Sequence, residues 1–508
     1  MKKIHASFLA SVRLSASLCL ILVSCSITQP SATPGSTATS IPDPLNTSWD
    51  DRSIFKNGLV ASEQPVLDGL NGAIIYHLDI KIGEDMLHVT GVEEVRYTNT
   101  ETAPLNEIQF RLFPNILGGK LTVSNLTIDG KSTQPRYALQ NSLMIVPLST
   151  PLEPGQNTVL RMEYAVTVPD EVELNYGVLA YYDDVLAFAH AYPMICVYNE
   201  DGWNAELPPQ DGDVTFADAA FYIVRITAPA GLTLVTSGRE VSHVEAGQVQ
   251  ALTVASGPAR DFYLVASSTY EEVSQTFGEV TIHSYAEKDS LKGAQFALET
   301  ASKALQVFSE RYAPYPYTEL DIVATPNLAL GIEYPGMIAI TTRIYDIGDD
   351  PSDSYMEGTV AHEVGHQWFY NLVGDDQLDD PWLDESLTQF ITLQYFSDTY
   401  GLRGEQGFRS SLEGRWGRVN KADIPIGLPV AGYKGAEYGA IVYGRGPLFF
   451  VALRDQIGEI AFDAFLKDYT ETLSWGISTP EQLQSLAEKH CSCDLQPLFE
   501  QWVYPQNK

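Results

Sequence analysis

From about residue 70 to 268, apolar residues recur at every second position. Tyr76, Leu78, Ile80 and Ile82 alternate with polar residues, as do Val95 and Tyr97; Ile108, Phe110 and Leu112; Leu160, Met162, Tyr164, Val166 and Val168; and Tyr222, Val224 and Ile226. A period of two places such residues on one face of a strand. Turn clusters such as Asp129-Gly130 and Glu153-Pro154-Gly155 break the runs. Many short alternating strands predict an all-β sandwich or related saddle-like domain. From about 285 the period changes. Leu298, Ala301, Leu305, Phe308 and Tyr312 share one helical face, which ends before Pro314. Strand-like segments follow at Leu320–Ala324 and Met337–Thr341, then helical segments over about 354–373, 384–400, 446–468 and 479–489. The pattern predicts an α+β multidomain chain, with a β-domain at 49–268 and a mostly helical body at 269–508.

The length of 508 residues fits more than one core, and 44% apolar residues are enough to fill them. The formal net charge is −34. A surface this acidic repels phosphate backbones and excludes nucleic acid as a natural partner, while it attracts cationic groups such as a peptide's free amine.

The first 24 residues read as a signal peptide. Lys2, Lys3 and Arg13 precede an apolar run from Leu14 to Val23, which is short for a transmembrane helix. The run ends in Leu22-Val23-Ser24-Cys25, which resembles a bacterial lipobox, with Cys25 as the lipidated residue. Residues 25–48 are rich in Ser, Thr and Pro and suit a flexible tether. The expected location is therefore extracytoplasmic, with the chain lipid-anchored to the bacterial cell membrane through Cys25. Oligomeric state is not legible. Of the five cysteines, Cys196, Cys491 and Cys493 remain after processing. Three thiols do not describe a disulfide framework, although Cys196 could bridge to Cys491 or Cys493.

His362-Glu363-Val364-Gly365-His366 lies in the first of the later helical segments. Helical i, i+4 spacing sets both imidazoles on one face, about a turn apart, which suits two ligands of one tetrahedral Zn²⁺. Glu363, facing the same cleft, can hold a water and take its proton. A catalytic zinc keeps three protein ligands and one open position. Glu385 opens the second helical segment, nineteen positions after His366. A helix, a loop rich in turn residues and a returning antiparallel helix would set its carboxylate beside the histidines. His362, His366 and Glu385 then form a His₂Glu set, the hydrolytic rather than the closed structural arrangement.

These residues carry a resemblance. The segment from His362 to Phe390, HEVGHQWFYNLVGDDQLDDPWLDESLTQF, resembles the aminopeptidase N family of gluzincin metallopeptidases, with HExxH, eighteen residues, then Glu. Ala329-Leu-Gly-Ile-Glu-Tyr-Pro-Gly336 is similar to the family's Gly-x-Met-Glu-Asn exopeptidase loop and puts Glu333 at its acidic position. Tyr443-Gly-Arg-Gly446 is similar to the family's Tyr-x-Lys-Gly. The resemblance implies a saddle-like β-domain followed by a thermolysin-like catalytic domain, with one Zn²⁺ per chain on His362, His366 and Glu385. It implies that Glu363 is the general base, that Tyr443 donates to the oxyanion, and that Glu333 binds the α-amine of a peptide substrate. With 123 residues after Glu385, it also implies that the family's C-terminal helical domain is absent.

The sequence departs from the family at Leu330, Ile332 and Tyr334 within the loop. Phe188-Ala-His-Ala-Tyr-Pro193 lacks the family's Gln. The strand Met337–Thr341 could pair with an extended peptide at a sheet edge. The expected function is zinc-dependent release of N-terminal residues from peptides. The alternatives are a zinc endopeptidase on the same site and a non-catalytic surface-binding lipoprotein with a vestigial zinc site. Tyr438, just before Tyr443, is the competing tyrosine.

Overall fold

A computed structural model describes residues 43–209, 211–347 and 355–504. The expected signal peptide, Cys25 and most of the tether lie outside the described residues. Asp43–Lys508 forms one compact unit.

The alternating runs form strands. An eight-stranded sheet is ordered Arg239–Ala246, Val249–Ala259, Ala220–Pro229, Ile75–Ile82, His88–Thr98, Asn157–Thr167, Lys120–Ile128 and Lys131–Ser132. Its neighbours are antiparallel except Ile75–Ile82 and Ala220–Pro229, which run parallel in the register Tyr76 to Tyr222. Two four-stranded sheets and a two-stranded one, Tyr198–Asn199 with Gly202–Trp203, complete this part. The buried members of each run, including Leu78, Phe110, Leu160, Met162 and Val224, meet in one apolar core.

The second core lies against a five-stranded sheet, ordered Tyr270–Phe277, Val280–Glu287, Glu319–Thr325, Met337–Thr341 and Gly331–Ile332. Helix α1, Leu291–Arg311, covers one face. Its Leu298, Ala301, Leu305 and Phe308 are buried with Ile282, Leu320, Ile322 and Ile338 of the strands. Met337–Thr341 is hydrogen-bonded on both sides, parallel to Glu319–Thr325 and antiparallel to Gly331–Ile332. It is therefore not the open edge that the sequence suggested. That edge belongs to Gly331–Ile332, because the loop segment before it folds back and adds a strand.

Helix α2, Met356–Gly365, and helix α3, Leu387–Gly417, follow. The first stops well short of residue 373, and the chain turns through 366–374. The second runs past residue 400 across a kink where Gly401 takes φ 63°. Gly458, at φ 85°, divides the expected 446–468 helix into Gly446–Ile457 and Glu459–Leu473. Among the described residues, no helix is long and apolar enough to cross a membrane. Cys491 is bonded to Cys493 and Cys196 is a buried free thiol, so the one bridge is not the Cys196 pairing that the sequence left open.

Candidate metal centre and active site

The last turn of α2 carries His362 and Glu363, with His366 at its C-terminal cap. Helical spacing brings the two imidazoles together, with ring centroids 4.6 Å apart. Glu385 sits on a single π-helical turn, Trp382–Ser386, that leads into α3. Tyr443 sits on a second such turn, Ile441–Arg445. Wide turns of this kind re-aim side chains away from helical register. The Ser386 hydroxyl donates to the Val442 carbonyl at 2.6 Å and ties the two turns together. Gly446 makes this approach feasible, since a Cβ there would lie 1.9 Å from Ser386 Oγ.

The three expected ligands converge. His362 Nε2 and His366 Nε2 are 3.2 Å apart, and each faces Glu385 Oε2, at 3.1 and 3.4 Å. Tetrahedral zinc with bonds near 2.0–2.1 Å separates its ligand atoms by about 3.3 Å, so this triangle has the edge length a zinc ion requires. The outer nitrogens are oriented too. His366 Nδ1 lies 3.0 Å from the Phe369 carbonyl, an acceptor that fixes the proton on Nδ1 and frees Nε2 for a metal. His362 Nδ1 lies 3.3 Å from the Gln389 amide nitrogen, while Gln389 Oε1 is buried with no partner. Turning that amide around satisfies both groups at once.

The electrostatics favour a cation. Burial pushes His362 down to about 4, aided by repulsion from His366, so its imidazole is neutral. Burial also opposes charge on His366, but Glu333 and Glu385 override it and hold positive charge there. A divalent ion answers the same demand. Burial works against a charged Glu385 as well, yet His366 and hydrogen bonds to both imidazoles keep its carboxyl well below the usual range. These observations fit one zinc ion held by His362, His366 and Glu385.

Glu363 is 4% exposed, and its carboxylate rests against Gly331 of the edge strand. Burial, then Glu333 and Glu385, raise its carboxyl well above the ordinary value. Glu333 is also buried, with a ligand-capable oxygen within 4.8 Å of His366 and Asp384. Tyr443 donates its hydroxyl to Glu385 Oε1. Tyr438 packs edge-on to Tyr443, with centroids 5.7 Å apart.

Sequence reasoning missed several residues. Gln377 donates to Glu333 Oε1 at 3.2 Å and to Asp384 Oδ2 at 2.8 Å, so one amide holds both carboxylates. It lies in the loop read only as a source of turns. Asp213 reaches the site from the β-domain, where Glu333, Glu385 and Glu363 all act on its carboxyl. Its neighbour Thr215 lies 3.5 Å from Gln377 Oε1. Nothing in the local sequence marked that loop.

A β-rich part is joined to a helical part that holds a buried His₂Glu triangle with an adjacent glutamate, the geometry of a gluzincin-type zinc site. Residues 296–502 match the peptidase family M1 domain. The chain is 22% identical over 419 residues to aminopeptidase M1-B of Oryza sativa subsp. japonica, covering 76% of this chain and 46% of that protein. It is 27% identical over 268 residues to endoplasmic reticulum aminopeptidase 1 of Homo sapiens, covering 48% and 28%. The chain thus spans less than half the length of these curated relatives. Among solved structures, an M1 zinc metallopeptidase from Deinococcus radiodurans is similar with a TM-score of 0.60 and 20% identity, covering 86% of this chain and 95% of that one. A mutant of that protein bound to a Tyr-Ser-Ala substrate matches with the same TM-score and 21% identity.

Proposed function

We propose that the protein is a zinc-dependent aminopeptidase that releases N-terminal residues from peptides at the cell envelope. The observation that carries this reading is the placement of Glu333, a buried carboxylate on the same side of the site as His366. When bound, zinc supplies Lewis-acid polarisation of the scissile carbonyl and makes a nucleophile of water at neutral pH. Glu363 takes the proton of the attacking water and passes it to the leaving amine. Burial and the neighbouring Glu333 raise its carboxyl, which suits it to hold and return a proton. The Tyr443 hydroxyl, next to the ligand carboxylate, donates to the oxyanion of the tetrahedral intermediate. Glu333, steadied by Gln377, binds the substrate's α-ammonium by a charge-assisted bond. The relatives named as aminopeptidases support the reading.

The test compares peptides with free and acetylated N-termini, in wild type and in Glu333→Ala. An aminopeptidase cleaves only the free form, and Glu333→Ala loses most of kcat/KM on it. Efficient cleavage of acetylated peptides, with Glu333→Ala unimpaired, establishes an endopeptidase instead. Metal binding with no turnover on either peptide would leave only a binding role.

Location is part of the same proposal. The Leu22-Val23-Ser24-Cys25 segment and the Ser/Thr/Pro-rich stretch after it support a lipid anchor at Cys25. Cys25→Ser should move the protein from the membrane fraction to the soluble one. Continued membrane association of that variant would refute the anchor.

A further inference from the structure

We propose that the protein holds a second divalent cation of the zinc class, away from the catalytic cleft, on His283, Glu319 and Asp321. Strands Val280–Glu287 and Glu319–Thr325 run parallel, with Thr281 opposite Glu319 and His283 opposite Asp321. Ile282, Ala286, Leu320 and Ile322 turn into the core under α1. The alternation therefore sends His283, Glu319 and Asp321 to the other face. One ligand atom from each lies within 4.8 Å of the others, and none belongs to the catalytic set.

Three features point to an ion rather than a chance cluster. Asp321 is 4% exposed, and its Oδ1 has no hydrogen-bond partner among the described residues. A buried carboxylate oxygen without a partner is costly, and such groups are normally paired or bound to metal. The His283 imidazole is already oriented. Its Nδ1 is 2.7 Å from Glu272 Oε1, and its Nε2 faces Glu319 Oε1 at 3.6 Å. A carboxylate behind a histidine is the arrangement that fixes the tautomer of a metal ligand. The local charge also calls for a cation. Glu272, Glu319 and Asp321 stand together, and the nearby Arg239 is hydrogen-bonded to Glu319 rather than to Asp321. One imidazole nitrogen with two carboxylates suits zinc or manganese better than calcium, which prefers an all-oxygen shell. The ion would join two adjacent strands of the sheet where Arg239 of the β-domain meets Glu319.

The probe is zinc alone, added to the full-length protein, with bound metal counted by mass spectrometry after dialysis against free zinc. Wild type should retain one ion more than His283→Ala and one more than Asp321→Asn. Both variants should keep wild-type kcat/KM. The difference between wild type and variant decides the matter, so failure of the catalytic-site reading would lower both counts and leave the difference intact. Equal metal content in wild type and in folded His283→Ala overturns the proposal. Should either variant misfold, calorimetric titration of wild type with zinc decides it. A binding event that persists in His362→Ala, which removes a catalytic ligand, supports the second site, and its absence there overturns it.

Discussion

The glycine at 331 has the most direct leverage on catalysis without touching a metal ligand. Its missing side chain is where the Glu363 carboxylate lies. A Cβ built there would stand 2.4 Å from Glu363 Oε1 and 2.5 Å from both Cδ and Cγ. Non-bonded carbon atoms prefer about 3.5–4.0 Å, so Gly331→Ala demands a displacement of about 1 Å. The carboxylate, at the free end of its side chain, moves more readily than a strand hydrogen-bonded to Met337–Thr341. A misplacement of that size at a reacting group costs about 100-fold in rate, or about 2.7 kcal/mol of barrier. The clash falls on the free end of the Glu363 side chain and not on His362, His366 or Glu385, so metal content should stay at the wild-type level. The assay is steady-state hydrolysis of an aminoacyl arylamide with parallel metal analysis, and Glu363→Gln supplies the floor. Gly331→Ala should fall between wild type and that floor, with the loss in kcat and with zinc retained. Wild-type kcat in the alanine variant refutes the argument that this contact positions the base. Loss of metal refutes the claim that the contact is separate from the ligands.

Tyr443→Phe removes the hydroxyl that touches Glu385 and should lower kcat by about 100- to 1000-fold. Tyr438→Phe removes a hydroxyl that makes no hydrogen bond to Glu385 and should leave kcat within about threefold of wild type, and the reverse ranking would exchange their roles. Asp380 is pushed up to about 7 by burial and then by Asp376. Because the folded value lies above the unfolded one, its contribution to stability is full below about pH 4 and is lost as pH rises through 7. Asp380→Asn should therefore stabilise the fold over its parent by an amount that grows between pH 4.5 and 8 in urea denaturation, and a gap independent of pH contradicts this.

Much of this fold was legible because burial imposes periodicity. Leu78, Leu160 and Val224 had to alternate to face one core, and Leu298, Leu305 and Phe308 had to recur helically to cover a sheet. The ligand set was legible for a related reason, since the geometry of one ion restricts spacing within a helix and between helix and return. Where helices end was less legible. The α2 segment keeps an apolar character beyond Gly365, with Trp368, Phe369, Leu372 and Val373 all buried. They are buried in turns rather than in a helix, a distinction that composition does not encode. The disulfide pairing was hidden because Cys491 and Cys493 satisfy each other locally, while Cys196 lies in the β-domain core.

The residues around the ligands were hidden because they arrive from elements with no common period. Gln377 comes from a loop, Asp213 from the β-domain, and Glu385 and Tyr443 from two wide turns locked together through Ser386 and Val442. Their convergence explains why so much negative charge can sit in one buried cleft. Glu333, Glu363, Asp384 and Asp213 all have carboxyls raised by burial and by neighbouring carboxylates, Glu385 among them, while Glu385 itself is held down by the imidazoles. The separation agrees with the proposed roles. The carboxyl held ionised beside two neutral-capable nitrogens is the natural metal ligand. Those raised by their neighbours are suited to exchange a proton or receive a cationic amine. The acidic cleft thus selects for a positive charge twice, once as the ion and once as the end of the substrate.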